Sequence, residues 1–269
     1  EPRIPLTSLN SVVRWDIRPA KVAGKAPDID LYVKQAQFSN PDAQGELEGH
    51  WQTGARADAP QVARLPGRLQ LQGKLSRGQA NRVWRYLPSV LPASARYYVR
   101  DALKSGQGEK VRFQVDGDLN EFPFKDDVGG KFRVYVPVKQ VTLDYVPEVR
   151  QAGQPYWPAF SHLDGELIFE GQRLRIERAQ GRLGELGSGG FVLRNVTGLI
   201  DDLGANNPHL IIKGQGDGPL DDVLKYLSTS PVGQWTGNMM SVAHGAGQSA
   251  LQLALDIPLD QVEHTTLKG

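Results

Sequence analysis

The chain has no cysteine, which excludes disulfides and thiolate metal sites. It has no run of about 18 apolar residues, so no segment reads as a membrane span. It has no excess of either charge: 31 Lys and Arg stand against 30 Asp and Glu. That balance removes any bulk electrostatic pull toward nucleic acid or an anionic membrane. Trp and Tyr are spread without a basic stripe, which speaks against a nucleic-acid platform. Hydrophobic content is 39%, low for a compact globule, and implies an elongated shape with little two-sided core. The few histidines (His50, His162, His209, His244, His264) are dispersed without metal-ligand spacing, so neither a metal nor a cofactor is expected. The first residues, Glu-Pro-Arg-Ile-Pro, are not a signal peptide. Residues 263–269 read as a strand just starting, so both ends read as cuts in a longer polypeptide.

Catalytic patterns are missing too. The acidic pairs Asp126-Asp127 and Asp201-Asp202 fall in expected turns, and Asp221-Asp222 opens a helix, where acids suit the dipole. Nothing makes them converge as an acid and base pair would have to. Gly214-Gln-Gly-Asp-Gly218 lacks the Lys-Ser/Thr of a phosphate loop and reads as a turn between strand and helix. Gly187-Ser-Gly-Gly190 does not have nucleophile-elbow spacing, and Asn195-Val-Thr197 is a glycosylation sequon by pattern only. No catalytic residue is assigned, and the chain does not read as an enzyme.

What the sequence has is alternation. With 30 Gly and 18 Pro it suits many short strands and turns. Leu9, Ser11, Val13, Trp15 and Ile17 alternate with polar residues, and Leu69, Leu71, Gly73 and Leu75 do so without a break. Further strands are expected over residues 31–38, 45–51, 111–117, 131–138, 141–145, 163–169, 174–179, 190–196, 209–214, 233–237 and 250–257. Residues 93–104 form the one substantial helical segment. Its apolar face is Ala95, Val99, Ala102 and Leu103, with Lys104 in the last turn and Gly106 just past the end. Pro88 and Pro92 separate it from a helical turn near Val83–Leu87, and residues 220–227 form a second short helix. Each strand has one apolar and one polar face, so the sheet is half-buried and antiparallel. Two short helices cannot cover a dozen strands. So long a sheet curls, and it either closes, doubles into a sandwich, or folds into an open trough with an apolar lining.

A strand-then-helix unit occurs twice. Leu69-Gln-Leu-Gln-Gly73 leads to Val83-Trp-Arg-Tyr-Leu87, and Leu210-Ile-Ile-Lys-Gly214 leads to Val223-Leu-Lys-Tyr-Leu227, with residues 31–37 likewise matching 174–180. The spacing is near-constant, about 140 residues, as in stacked repeats. The chain therefore reads as one elongated unit over residues 1–269 holding about one and a half repeats, with 31–87 matching 174–227 and a helical insertion over 79–106. A dozen strands at about 4.8 Å each span on the order of 60 Å.

Several strings resemble a known family: Tyr86-Leu-Pro with Ala102-Leu and Gly106; Phe113 with Gly117-Asp118 and Phe122-Pro-Phe124; Trp157-Pro158 with Leu167-Ile-Phe169 and Leu174-Arg-Ile176; and Tyr226-Leu with Ser230-Pro231. From about Leu65 onward they resemble the bacterial AsmA-like family of repeating β-groove proteins, although that family's N-terminal membrane helix and further repeats are absent. The resemblance implies a mainly β fold, a long curled antiparallel sheet forming an elongated apolar groove with one or two short amphipathic helices. It implies an inner-membrane-anchored protein of Gram-negative bacteria whose periplasmic part carries phospholipid from inner to outer membrane. Its partners would be phospholipid acyl chains and proteins at either membrane.

An acyl chain in water costs about 0.8 kcal/mol per CH₂, so sixteen carbons cost roughly 12 kcal/mol, which an apolar trough removes without any catalytic group. The lining would be Leu47, Leu69, Leu71, Val111, Phe113, Val115, Phe132, Val134, Val136, Leu167, Phe169, Leu174, Ile176, Leu210, Ile212, Leu251, Leu253 and Leu255. The helix with Ala95, Val99, Ala102 and Leu103 would pack across the trough and gate it. The alternative is a structural spacer or interaction scaffold in which the same residues fill a dry sandwich core. A carbohydrate-active or hydrolase domain would require a polar cleft with converging carboxylates.

Overall fold

The computed structural model describes residues 4–19, 26–54, 65–87, 91–147, 154–184, 190–231, 233, 245–259 and 266–268. Alternation with a period of two places apolar side chains on one side of an extended chain. The described chain accordingly forms twelve strands: β1 (Ser8–Arg18), β2 (Asp28–Ser39), β3 (Ala43–Gln52), β4 (Arg68–Gln79), β5 (Leu103–Asp118), β6 (Gly130–Leu143), β7 (Phe160–Glu170), β8 (Arg173–Leu183), β9 (Val192–Ile200), β10 (His209–Pro219), β11 (Gln248–Pro258) and β12 (Thr266–Lys268). They form one curled sheet in sequence order, each strand antiparallel to the next, with β1 and β12 as its free edges. Connections after β2, β4, β6, β8 and β10 gather at one rim, and those after the odd strands at the other.

Two helices interrupt the sheet, α1 (Ala93–Ala102) and α2 (Leu220–Thr229), both on the first rim. A 3-10 helix, Ala80–Tyr86, precedes α1. The helical expectation needs three corrections. First, α2 is as long as α1, 10 residues each. Second, α1 stops at Ala102, because Leu103 is extended (φ −89°, ψ 100°) and pairs with Leu143 of β6, while the N–H of Asp144 donates to the Ala102 carbonyl at 2.8 Å. Third, Lys104 and Gly106 thus belong to β5 and not to a helix C-terminus, and Gly106 (φ +111°) lies at a register shift of that strand.

Other boundaries also moved. Residues 131–138 and 141–143 are one strand, β6, and Tyr145 lies beyond its end. The glycine run 214–218 is not a turn. It continues β10, where Gly214, Gly216 and Gly218 pair with Leu253, Leu251 and Ser249. Of the strand expected at 233–237 only Gly233 is described, and its N–H donates to the Ser230 carbonyl at 3.0 Å. Pro88, residues 187–189, His244 and His264 lie outside the described residues.

The curl has a local origin. Gln35, Lys110, Gln140, His162, Arg178 and Asn195 all sit inside strands at positive φ, between 50° and 52°. Each coincides with a register shift against a neighbouring strand. Each is therefore a β-bulge, which adds a residue to one strand and increases its bend and twist. All six side chains are exposed. Repeated in β2, β5, β6, β7, β8 and β9, the bulges keep the sheet from lying flat.

At the second rim the connection from β5 to β6 folds back over the apolar face. Phe124 is completely buried (0% exposed). A Cβ at Gly117 or Gly130 would stand 2.6 or 2.7 Å from the Phe124 ring, so only glycine leaves room for it. Phe122 adds ring contacts to Phe124 and Phe132, with centroids 5.8 and 5.0 Å away. Lys125 then bridges to Asp202 of the next turn but one, at 2.7 Å.

Two outcomes follow from this architecture. Phe124→Ala is expected to lower the unfolding free energy by about 3–5 kcal/mol, read by urea denaturation. At a bulge, Lys110→Val or Arg178→Val costs about 1–2 kcal/mol because a β-branched residue resists positive φ, whereas glycine at the same position is neutral or stabilising.

Candidate functional site

The strand register assembles the apolar side chains into rows that cross the sheet. One row runs Leu47, Gly73, Phe113, Val134, Phe169, Leu174, Ile200, Leu210, Ile257, a residue from each strand from β3 to β11. Beside it, two residues along each strand, run Val136, Leu167, Ile176, Gly198, Ile212 and Leu255. Val111 pairs with Leu75 and leads into this row across the bulge at Lys110. On the other side Leu71, Val115 and Phe132 are paired in turn. Beyond them Trp15, Leu31, Trp51 and Leu69 carry the face to the β1 edge. Leu253 and Leu251 stand opposite Gly214 and Gly216. The register thus puts every residue expected to line a trough on the same face of the sheet.

That face is not a filled core. Of the expected lining residues only Val111 is buried, at 6% exposure, and the others are half-buried. The buried hydrophobic residues among those described are few, eight in all, and five of them are alanine or valine. At the β1 edge Leu9, Val13, Trp15 and Ile17 are 47–64% exposed. The apolar face is therefore the floor of an open groove.

The opposite face is a lattice of cross-strand ion pairs. Lys74 meets Glu46 at 2.7 Å, Arg68 meets Asp116 at 3.3 Å, and Arg194 meets Asp217 at 2.8 Å. Arg178 pairs with Glu166, and Arg175 reaches both Glu170 and Glu177. Each exposed pair contributes about 0–1 kcal/mol. Together they pair opposite charges across neighbouring strands of this face. Among the described residues no three potential metal ligands come together.

An aromatic lid closes part of the groove at the first rim. α2 folds back so that Tyr226 faces Phe160 and Trp157 at centroid distances of 6.3 and 6.5 Å. Tyr145 stacks on Phe160 at 5.1 Å, and its hydroxyl shares a hydrogen bond with that of Tyr226. The Thr229 carbonyl accepts from the N–H of Tyr156 at 3.0 Å. The buried Asp222 carboxylate accepts from the N–H groups of Gly190 and Phe191 at 2.9 and 3.2 Å, so it anchors the helix start to the connection before β9. α1 joins the same cluster, since the Tyr98 hydroxyl donates to the Tyr145 carbonyl at 3.0 Å.

Of the helix residues singled out, Ala102 is buried (1% exposed), Val99 is half-buried and Ala95 is exposed. Leu103 is the first residue of β5. Sequence reasoning missed the lid cluster. Its members are far apart in the chain, and the one signal was the aromatic pair Tyr156-Trp157 in an expected loop.

Burial pushes the Tyr145 phenol far above its ordinary value, and Tyr226 beside it adds to the effect. Burial likewise pushes Tyr226 up to about 12, moderated by the hydrogen bond from Tyr145. A folded-state value above the unfolded one means that the folded protein holds its proton longer. The lid's stabilisation is then complete below pH 10 and declines between about pH 10 and 12, by up to about 1.4 kcal/mol per pH unit for each tyrosine. An absorbance titration of tyrosinate is expected to show Tyr145 and Tyr226 among the late-ionising tyrosines of the native chain, and Tyr226→Phe lowers the late-ionising amplitude.

The YhdP protein family model matches residues 12–269. The intermembrane phospholipid transporter YhdP of Escherichia coli (strain K12) is 28% identical over 202 residues, which is 75% of this chain. The chain spans 15% of the length of that relative. No solved structure matches.

Proposed function

The chain belongs to the YhdP family, and from that membership we propose that it is a segment of an intermembrane phospholipid transporter whose groove carries acyl chains across the periplasm from inner to outer membrane. The observation that supports this most is the open apolar face. Its longest row crosses the sheet from β3 to β11, and its large side chains stay half-exposed instead of meeting a second layer. A dry spacer would bury those same residues in a two-layer core. The similarity to an intermembrane phospholipid transporter supplies the ligand class.

The physical role of the groove is to replace water along the path of the acyl chain. A sixteen-carbon chain gains roughly 12 kcal/mol on leaving water. Because the rows are continuous, neighbouring positions offer similar surface, and the chain can move between them without meeting that cost. Movement then needs no bond chemistry from the protein. Among the described residues no helix is long and apolar enough to cross a membrane. The matched units 31–87 and 174–227 would be repeats along the groove, each setting a rim helix. α1, packed on the 3-10 helix Ala80–Tyr86, would narrow the groove entrance at its end of the rim.

Native mass spectrometry of the purified chain, with lipid analysis of an organic extract, tests the reading. Co-purifying phospholipid is expected. Phe113, Val134 and Phe169 stand side by side in one row, so changing them together to Asp is expected to abolish the lipid signal. Gln114→Asp on the opposite face is expected to keep it. A folded wild-type chain that neither carries nor takes up phospholipid would overturn the proposal in favour of the spacer.

A further inference from the structure

The two rim helices differ in charge. Residues 77–104 hold Arg77, Arg82, Arg85, Arg96, Arg100 and Lys104 against the single carboxylate Asp101. α2, on the same rim, carries Asp221, Asp222 and Lys225. A chain whose overall charge is +1 therefore concentrates cations at one place on the lip of its groove.

Most of these cations are already engaged. Arg85 pairs with the buried Asp42 at 2.5 Å, Arg100 with Asp101 at 2.7 Å, and Lys104 with Asp144 at 3.4 Å. Arg77 donates to the carbonyls of Asn40 and Pro41 at 2.8 and 2.9 Å. Arg82 and Arg96 are different: neither side chain has a hydrogen-bond or ion-pair partner among the described residues. Arg96 Nε is moreover buried without an acceptor. An unsatisfied buried donor on a charged group costs free energy, so the site favours an acceptor brought by something else. The two arginines lie on elements that pack against each other, α1 and the 3-10 helix before it.

The surroundings indicate what that acceptor belongs to. Tyr97, Tyr98 and Tyr86 are 51%, 47% and 39% exposed on the same segment, with Val83 and Leu91 beside them in the chain. Tyrosine rings with apolar bodies and polar tips suit the level of lipid headgroups, between hydrocarbon and water. A planar guanidinium suits a phosphate, to which it donates two parallel hydrogen bonds. We infer that the α1 rim binds the headgroup phosphate of a phospholipid through Arg82 and Arg96 while its acyl chains lie on the apolar face. This rests on the lipid reading of the groove and adds a headgroup site to it. It also makes the α1 end a place where the headgroup pauses, since α2 offers no equivalent cations.

The test compares two ligands with the same tails on the 269-residue chain: dioctanoyl phosphatidylglycerol and dioctanoylglycerol, which lacks the phosphate. Isothermal titration is expected to show the phospholipid binding about tenfold more tightly, as charge-assisted hydrogen bonds would give. High salt shrinks that preference. Arg82→Gln with Arg96→Gln is expected to bring the ratio to about one while dioctanoylglycerol affinity is unchanged, which also reports that the fold is intact. A preference that survives the double substitution overturns the inference. So does a wild-type preference erased by excess inorganic phosphate that binds equally well without lipid, since the site would then serve the free anion. If dioctanoylglycerol binds without any preference for the phospholipid, only the headgroup site fails. If neither ligand binds, the groove reading fails first.

Discussion

Every inner strand among the described residues satisfies its backbone through its two neighbours in one antiparallel ladder, and that ladder takes up more than half of the described chain. Among the described residues no second sheet is formed. A sheet with one apolar face ordinarily hides it against helices or another sheet. Here two ten-residue helices and a few folded-back loops are the available cover. The exposed apolar surface is therefore a consequence of how the chain spends its residues, and the rest of the architecture deals with it. The aromatic contacts of Phe124 at one rim and Tyr226 at the other tie down what cover exists.

The bulges make the curl compatible with a continuous apolar floor. A bulge adds a residue on one strand only, and without compensation it would turn the following side chains to the wrong face. In each bulged strand the residue at positive φ is polar and exposed, and alternation resumes beyond it with apolar residues still inward. Val138 and Val141 flank Lys139 and Gln140 in this way, and Ile176 and Ala179 flank Glu177 and Arg178. In the sequence such a site looks like two consecutive polar residues, a break in the alternation.

That ambiguity explains which parts of the fold could be read from the residues alone. Strand existence, antiparallel pairing and the identity of the apolar face were legible, because period-two alternation encodes all three locally. Strand ends were not. Val138 to Val141 looked like an end and a new beginning, and Gly214 to Gly218 looked like a turn, because a glycine run carries no alternation to follow. The end of α1 was misplaced for a different reason. Leu103 fits the apolar helical face by spacing, but the Ala102 carbonyl and Leu103 itself are both held by the end of β6, a contact some forty residues away in the chain. The residues of the groove floor were legible as a set, while the lid was not, since Tyr145, Trp157 and Tyr226 meet only after α2 folds back across three strands.

The two helices of the first rim also differ along the groove. At the α2 end the cover is apolar and aromatic, its one buried acid, Asp222, is satisfied by backbone N–H groups, and its phenols resist ionisation. At the α1 end the segment is cationic, its tyrosines are exposed, and one arginine donor is buried without an acceptor. A ligand that is apolar along its length and anionic at one tip would find a uniform floor beneath both helices but a distinct electrostatic environment at only one of them. Two segments that share a strand-to-helix plan thus differ in the charge they bring to the rim. The shared part is encoded by alternation and glycine placement in β4 and β10, and the difference by a handful of charged residues on the helices that follow. Most of those charges are tied to the fold through partners such as Asp42 and Asp144, which leaves Arg82 and Arg96 as the ones that distinguish this rim segment.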